Sequence, residues 1–261
     1  MINVKAKEFD YYQLSESGQA FRMMSDGSCF SMEKACRVLS IDGGFTIECP
    51  ETDNEFWINY FDLKTDYGAF IKAIDPSDEF LTAAADFGKG VRILRQDPWE
   101  MLITYIISQR RSIPSIKTCV ERICNKWGKP IKGFKGYNSF PTPKQLSKAT
   151  MEELLECGLG YRAEYVWLAT QAVVLGQLDL DDLVGKPYQQ VMDALLPLKG
   201  VGVKVANCVA LFGFHCIEAF PVDVWIARVE EQHYGGHFPV EKYTGYAGIL
   251  QQYMFFFVRK A

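Results

Sequence analysis

The spacing of hydrophobic and polar positions changes near residue 73. Before it, short runs of aromatic and β-branched residues such as FTIEC and EFWINYF alternate with turn sequences at Asp26-Gly27 and Asp42-Gly43. Runs of this kind, bounded by aspartate and glycine, are typical of short strands joined by tight turns. The pattern predicts that residues 1–73 form an antiparallel β-sheet domain packed on one or two helices.

From residue 74 to residue 261 the apolar residues recur at helical spacing. Between Lys89 and Gly128 they follow a helical repeat, and Asp97-Pro98 supplies an N-cap followed by a first-turn proline. This second region is predicted to be a mostly α-helical domain. The expected fold class is therefore α+β, with the sheet domain first.

The segment from Leu195 to Arg228 is predicted to hold a helical hairpin (about residues 195–214) and the start of a third helix. Gly200-Val201-Gly202 is too short and too rich in glycine for anything but a turn between helices. Lys204 falls in the first turn of the next helix, and Asp223 is placed to cap the helix after that. A helix start presents free backbone N–H groups, which suit an anion such as a DNA phosphate.

Charge is distributed unevenly along this acidic chain. The net charge is −4, yet residues 1–86 hold 7 Lys and Arg against 16 Asp and Glu, whereas residues 89–135 hold 11 against 3. A basic segment inside an acidic chain is typical of a local surface for nucleic acid, although a solvated helix face gives the same pattern.

The eight cysteines indicate reduced thiols rather than disulfides. They form no CxxC pair, and because none follows Asp223 we expect no iron–sulfur cluster after that residue. The three histidines lack metal-ligand spacing, so no metal site is predicted. Without a bilayer-spanning apolar run or a signal-peptide core, we expect a monomeric cytoplasmic protein, nucleoid-associated if the cell is bacterial.

Several short motifs resemble those of one enzyme family. GVGVK, followed nineteen positions after its lysine by the aspartate of PVDVW, resembles the helix-hairpin-helix Gly/Pro…Asp signature of base-excision DNA glycosylases, in which a lysine marks bifunctional members. SGQAFR, QDPWE, GLGYRA and AGILQQYMF narrow the resemblance to the 8-oxoguanine DNA glycosylase/AP lyases and extend it over nearly the whole chain. The resemblance implies a two-lobed HhH-GPD domain with an active cleft between its lobes.

The resemblance also implies roles for the matching positions. Lys204 is the expected nucleophile at the sugar, and Asp223 is the expected carboxylate that stabilises developing positive charge. The carbonyl of Gly18 would accept a hydrogen bond from N7–H, a donor that 8-oxoguanine has and guanine lacks. Further substrate contacts are predicted for Gln19, Cys208, Gln251 and Phe255. DNA contacts are predicted for Arg110, Arg111, Tyr161, Arg162, Gly200, Gly202 and Trp225, with Tyr161 as an aromatic wedge beside the flipped base.

Two loops depart from the family pattern. Arg110 and Arg111 stand where eukaryotic members have a run of asparagines, so the preference for the base opposite the lesion stays open. Trp225 stands where those members have histidine, which bears on the phosphate contacts near the site. The alternatives are a glycosylase for another damaged base and a non-catalytic DNA-binding module that uses the hairpin as a phosphate clamp. The favoured interpretation implies double-stranded DNA containing 8-oxoguanine as the partner and no organic cofactor. It leaves open a structural cation between the hairpin and a phosphate.

Overall fold

The N-terminal part of the protein is a four-stranded antiparallel sheet in a computed structural model that describes residues 1–5 and 9–260. The strands lie in the order β1-β4-β3-β2, and they are β1 (Ile2–Lys5), β2 (Ser28–Ser31), β3 (Lys34–Ile41) and β4 (Gly44–Glu48). In the turn before β2, Gly27 has a φ of +87° and lies against the Val38 carbonyl, where a Cβ would be only 2.2 Å from the oxygen. The predicted antiparallel sheet is confirmed.

The prediction of a strand at EFWINYF is wrong, because Asn54–Tyr60 forms helix α2. Trp57, Tyr60 and Phe61 are buried. Their i, i+3, i+4 spacing places all three on one face of a helix, which packs them into the core beneath the sheet. Aromatic residues also favour strands, and this preference misled the sequence interpretation.

Most of the remaining described chain is helical, which confirms the α+β class. Among the described residues no helix has the length and apolar character needed to cross a membrane. The boundary at residue 73, between the third and fourth helices, stays a prediction. The other helices are α1 (Tyr11–Glu16), α3 (Tyr67–Lys72), α4 (Glu79–Phe87), α5 (Pro98–Ser108), α6 (Ile113–Trp127), α7 (Pro143–Leu146), α8 (Met151–Glu156), α9 (Arg162–Val174), α10 (Tyr188–Leu195), α11 (Val203–Phe212), α12 (Val224–His233) and α13 (Ala247–Lys260).

Helix α5 runs through the core and joins the two regions. Its predicted start is confirmed, because the Asp97 side chain accepts a hydrogen bond from the Glu100 backbone N–H at 2.9 Å and Pro98 opens the helix. Glu100 is buried and accepts a hydrogen bond from the Met32 backbone N–H at 3.0 Å. Burial raises the pKa of Glu100 to about 7. Further along α5, Tyr105 packs against α11, where the sequence places Lys204.

Candidate active site

The hairpin between α10 and α11 depends on Gly200 for its shape. Gly200 has a φ of +85°, and a Cβ there would lie 2.3 Å from Cδ2 of Tyr165. Its carbonyl accepts a hydrogen bond from Nε2 of Gln109 at 3.0 Å, which ties the hairpin to the end of α5. Gly202 is the exposed N-cap of α11 and forms no side-chain cap. The first N–H groups of α11 therefore face outward at a position suited to an anion.

Lys204 lies one residue into α11, half-buried, where that helix meets α5. Its Nζ is 5.7 Å from the centroid of the Tyr105 ring, which itself stacks on Phe212 at a centroid distance of 5.6 Å. Cys208 follows one turn later and is buried. Burial raises the pKa of the Cys208 thiol, and the adjacent Lys204 lowers it in part. The amine thus faces an aromatic ring and a neutral thiol.

Asp223 is the N-cap of α12, as predicted. Its Oδ1 accepts hydrogen bonds from the backbone N–H groups of Trp225 at 2.9 Å and Ile226 at 3.0 Å. Both cap hydrogen bonds use the same oxygen, so the cap fixes the carboxylate while Oδ2 takes no part in it. The helix start also favours the negative charge.

One narrow cavity of about 50 Å³ brings most of the predicted chemistry together. Measured as the space open to the centre of a water-sized sphere, about 10–15 Å³ is enough to hold one water molecule. This cavity therefore has room for a few waters, and it must widen to admit a purine. Its walls come from α5, α11, α13 and the loops before α12 and around Gly18. The lining residues are Gly18, Tyr105, Lys204, Cys208, Phe212, Pro221, Asp223, Gln251, Gln252 and Phe255.

Two adjacent glutamines of α13 hold the loops that form this cavity. Nε2 of Gln252 donates a hydrogen bond to the Ser17 carbonyl at 2.7 Å, which fixes the segment that carries Gly18. Nε2 of Gln251 donates to the Pro221 carbonyl at 2.9 Å, two residues before Asp223. Oε1 of Gln251 is buried and has no hydrogen-bond partner among the described residues. The cavity therefore contains an acceptor that a bound molecule could use.

Gln19 lies behind the cavity rather than in its wall, which differs from the predicted substrate contact. Its side chain is fully buried. Nε2 donates to the Arg92 carbonyl at 2.8 Å and to Oγ of Ser17 at 3.1 Å, and Oε1 accepts from the Leu94 N–H at 2.9 Å. These bonds anchor the chain next to Gly18, so the residue positions the glycine.

An open groove of about 450 Å³ beside the hairpin collects several predicted DNA contacts. Tyr161 is 52% exposed on its rim, and Arg110 is exposed with a φ of +52°. An exposed aromatic ring and an exposed cation at one groove suit a DNA strand. The lining residues are Gln109, Arg110, Tyr161, Tyr165, Gly200, Val201 and Gly202.

Arg111 and Arg162, predicted to contact DNA, are instead used within the protein. The buried guanidinium of Arg162 donates to the Gln109 carbonyl through Nε at 2.8 Å and through Nη2. The guanidinium of Arg111 donates to Oγ of Ser115 at 2.8 Å and to the Gly158 carbonyl. Both arginines therefore shape the loop that presents Arg110.

Trp225 lies on the surface next to Asp223 and is 38% exposed. The guanidinium carbon of Arg228, one turn later, is 5.5 Å from its ring centroid. Val224, the preceding residue, is also exposed. Trp225 is thus placed on an outer face beside the cap residue rather than in the cavity wall.

The sequence did not single out several residues of these two sites, among them Gln109, Tyr105 and Gln252, nor Arg259, which lies beside Gly18. The predicted DNA contacts in this loop are the two arginines after Gln109, but Gln109 itself contacts the hairpin. Gln252 neighbours Gln251, and only the tertiary structure shows that both face functional loops. Tyr105 and Arg259 occupy helical positions that ordinary core packing would also explain.

Sequence and structure comparisons point to one family. Residues 1–102 match the family described as 8-oxoguanine DNA glycosylase, N-terminal domain, and residues 103–243 match the HhH-GPD superfamily base excision DNA repair proteins. A probable N-glycosylase/DNA lyase of Methanothermobacter thermautotrophicus is 31% identical over 247 residues, covering 82% of this chain and 78% of that protein. The N-glycosylase/DNA lyase of Saccharomyces cerevisiae is 35% identical over 172 residues, covering 61% of this chain and 45% of the yeast protein.

A solved structure extends the similarity over the full fold. The 8-oxoguanine glycosylase/lyase of Clostridium acetobutylicum, in complex with double-stranded DNA containing cytosine opposite 8-oxoguanine, superposes with a TM-score of 0.91 at 32% identity. The match covers 100% of this chain and 98% of that one. The cavity brings a lysine of the hairpin helix and a capping aspartate together. Together with these matches, this arrangement shows that the chain belongs to the 8-oxoguanine DNA glycosylase/AP lyases of the HhH-GPD superfamily.

Proposed function

We propose that this protein excises 8-oxoguanine from duplex DNA and then cleaves the strand at the abasic site, with Lys204 as the covalent catalyst. The observation that carries the proposal is that Lys204 and Asp223 line one cavity together with Gly18, Gln251 and Phe255. This set offers an amine, a carboxylate, a backbone carbonyl, an amide and an aromatic ring. A flipped, oxidised purine and its sugar need all five.

Binding begins at the phosphates. The outward N–H groups at the start of α11 and the exposed Arg110 would hold the backbone, and Tyr161 would enter the gap that the flipped base leaves. Such a wedge offsets part of the unstacking cost, which is on the order of a few kcal/mol. Arg111 and Arg162 would support this loop without touching DNA.

Recognition occurs in the cavity. The Gly18 carbonyl would accept from N7–H of 8-oxoguanine, whereas it would face the bare N7 acceptor of guanine. The unpartnered Oε1 of Gln251 would accept from the Watson–Crick donors of the base. Phe255 and Cys208 would lie against its two faces.

The chemistry needs a neutral amine. Nζ of Lys204 would attack C1′ of the sugar as the C1′–N9 bond breaks, and the bonding electrons would leave with the base. Asp223 would stabilise the positive charge on the sugar and accept a proton from the attacking amine. Breaking of the C1′–O4′ bond would then open the sugar and give a Schiff base. Loss of a C2′ proton to a base in the site or to solvent would expel the 3′ phosphate by β-elimination, and hydrolysis would free the lysine.

No organic cofactor enters this scheme, because the lysine supplies the covalent catalysis. A structural cation at the contact between the hairpin and a phosphate stays a prediction, as does a monomeric state. The substrate places the enzyme with the chromosome, in the cytoplasm and at the nucleoid if the cell is bacterial.

Borohydride trapping tests the proposal. Reduction during turnover should yield a covalent adduct between the protein and an 8-oxoguanine duplex, and Lys204→Gln should abolish the adduct while retaining DNA binding. Asp223→Asn should bind equally well and lose excision by a factor of about 100 or more. Strand cleavage by Lys204→Gln at the wild-type rate would refute the assignment. Binding without cleavage by the wild type would leave only a DNA-binding module, and activity on other damaged bases alone would shift the substrate.

A further inference from the structure

Arg259, near the end of α13, brings a guanidinium next to Gly18, which itself lines the cavity. A Cβ built on Gly18 would lie 3.0 Å from Nη1 of Arg259 and 3.0 Å from Cε1 of Phe255. The guanidinium carbon is 5.1 Å from the centroid of the Phe255 ring. Arg259 and Phe255, one helical turn apart, therefore cover the same side of the glycine.

One nitrogen of this guanidinium is left without an acceptor in the part of the chain that the structure describes. Nη1 of Arg259 is buried and has no hydrogen-bond partner among the described residues. The neighbouring Lys260, by contrast, forms an ion pair with Glu16 at 2.7 Å. Burial lowers the pKa of Arg259, and the charges of Glu16 and Asp223 act against this shift. An arginine stays protonated in proteins, so a charged donor without an acceptor lies beside Gly18, next to the cavity.

We propose that Arg259 recognises the oxygen at C8 of 8-oxoguanine, an inference that rests on the proposed function. In the oxidised base, N7–H and O8 are adjacent, and together they present one donor and one acceptor. The Gly18 carbonyl would accept from N7–H, and Nη1 of Arg259, beside the same glycine, would donate to O8. Guanine presents an acceptor at N7 and a C–H at C8, so it loses both contacts.

The same contact would assist the chemical step. When the C1′–N9 bond breaks, its electron pair leaves with the purine and is shared between N9 and O8 through the C8 carbonyl group. A guanidinium at O8 stabilises this anion, and the hydrogen bond strengthens as the charge develops. The departing base then takes a proton from solvent, while Nζ of Lys204 remains bonded to C1′.

Arg259→Gln tests this role, with Lys260→Gln as the matched control. Both variants remove one positive charge from the last turn of α13, but the side chain of Lys260 pairs with Glu16 on the surface. Single-turnover excision of 8-oxoguanine should fall about 100-fold in Arg259→Gln and stay within about twofold in Lys260→Gln. Arg259→Lys should be intermediate, since it keeps the charge but loses the planar donor group.

Two further measurements distinguish recognition of O8 from a general effect. Cleavage of a preformed abasic duplex should fall less than about threefold in Arg259→Gln, because no base is present in that substrate. The preference for an uncleavable 2′-fluoro-8-oxoguanine duplex over the matched guanine duplex should fall about tenfold. As a folding control, the Tm of Arg259→Gln should fall only slightly, because Nη1 has no hydrogen-bond partner among the described residues and the contact with the Phe255 ring is what the variant loses.

Equal weakening of both duplexes would show that Arg259 contacts a phosphate and would overturn the proposal. Excision by Arg259→Gln within threefold of wild type would overturn it as well. Failure of the proposed function would be visible separately, in a wild-type protein that leaves 8-oxoguanine in the duplex.

Discussion

Replacing Gly200 by alanine tests whether this glycine sets the shape of the hairpin. The residue has a φ of +85°, and an added Cβ would lie 2.3 Å from Cδ2 and 2.4 Å from Cγ of Tyr165. The left-handed backbone costs an L residue about 1–2 kcal/mol, and overpacking adds about 1–3 kcal/mol. We therefore expect Gly200→Ala to lower the free energy of unfolding by about 2–5 kcal/mol.

Gly202→Ala is the matched control in the same turn. Gly202 has a φ of −88°, and an added Cβ would meet nothing within 4 Å. Alanine is a poorer N-cap than glycine, so a loss of about 1 kcal/mol or less is expected. Urea unfolding measures both, as shifts of the midpoint at constant m.

A second substitution separates the two causes. Tyr165→Ala in the Gly200→Ala background removes the overlap with the ring but keeps the 2.9 Å approach to Cβ of residue 165 and the backbone strain. It should therefore recover only part of the lost stability, despite the loss of a half-buried ring. Equal midpoint shifts for Gly200→Ala and Gly202→Ala would refute the reasoning from Cβ overlap. So would a double variant that is less stable than the sum of the two single losses.

Three more outcomes follow from the structure. Burial tends to raise the pKa of Asp62, but His215 and Arg95 hold it at about 2, below 3.8. Because the folded-state pKa is depressed, the ionised carboxylate adds to the free energy of unfolding above about pH 4, and this contribution is lost as pH falls through 2. Asp62→Asn should therefore lower the free energy of unfolding by about 2 kcal/mol at pH 7 and make the urea midpoint less dependent on pH in acid. Arg162→Met should weaken duplex binding through the loop it holds, and salt dependence unchanged from wild type would separate this effect from a lost phosphate contact. Gly18→Ala should reduce the ratio of excision from 8-oxoguanine over guanine duplexes, and an unchanged ratio would remove the glycine from recognition.

Short-range signals were enough to predict much of this fold. The turn glycines mark the sheet, Asp97 and Pro98 mark the start of α5, and the glycines before Lys204 mark the hairpin. Each of these depends on contacts within a few residues, such as a cap or a left-handed turn. The prediction for residues 55–61 failed because aromatic residues favour strands, whereas the burial of one face makes this segment the helix α2.

Arginine roles could not be read from the sequence because their partners are distant. Arg162 donates to a carbonyl 53 positions away, and Arg111 to one 47 positions away. The sequence cannot distinguish an exposed arginine from a buried one, because the backbone carbonyls that accept its hydrogen bonds come close only in the folded chain. Arg259 shows the reverse case, because a position in the last helix that carries no motif signal lies beside Gly18 in the fold.

Neutral amides hold three backbone carbonyls in the loops of the site. Gln252 holds the Ser17 carbonyl, Gln251 holds the Pro221 carbonyl, and Gln109 holds the Gly200 carbonyl. A buried ion pair could fix these loops only after a large desolvation cost, and its charges would act on the amine and the carboxylate nearby. An amide satisfies a backbone acceptor without adding a charge. The electrostatics of the cavity then depend on Lys204, Asp223 and Arg259. Changing Gln252 to glutamate alters the size of the side chain very little but adds a charge, so it should damage the site more than the small change in size suggests.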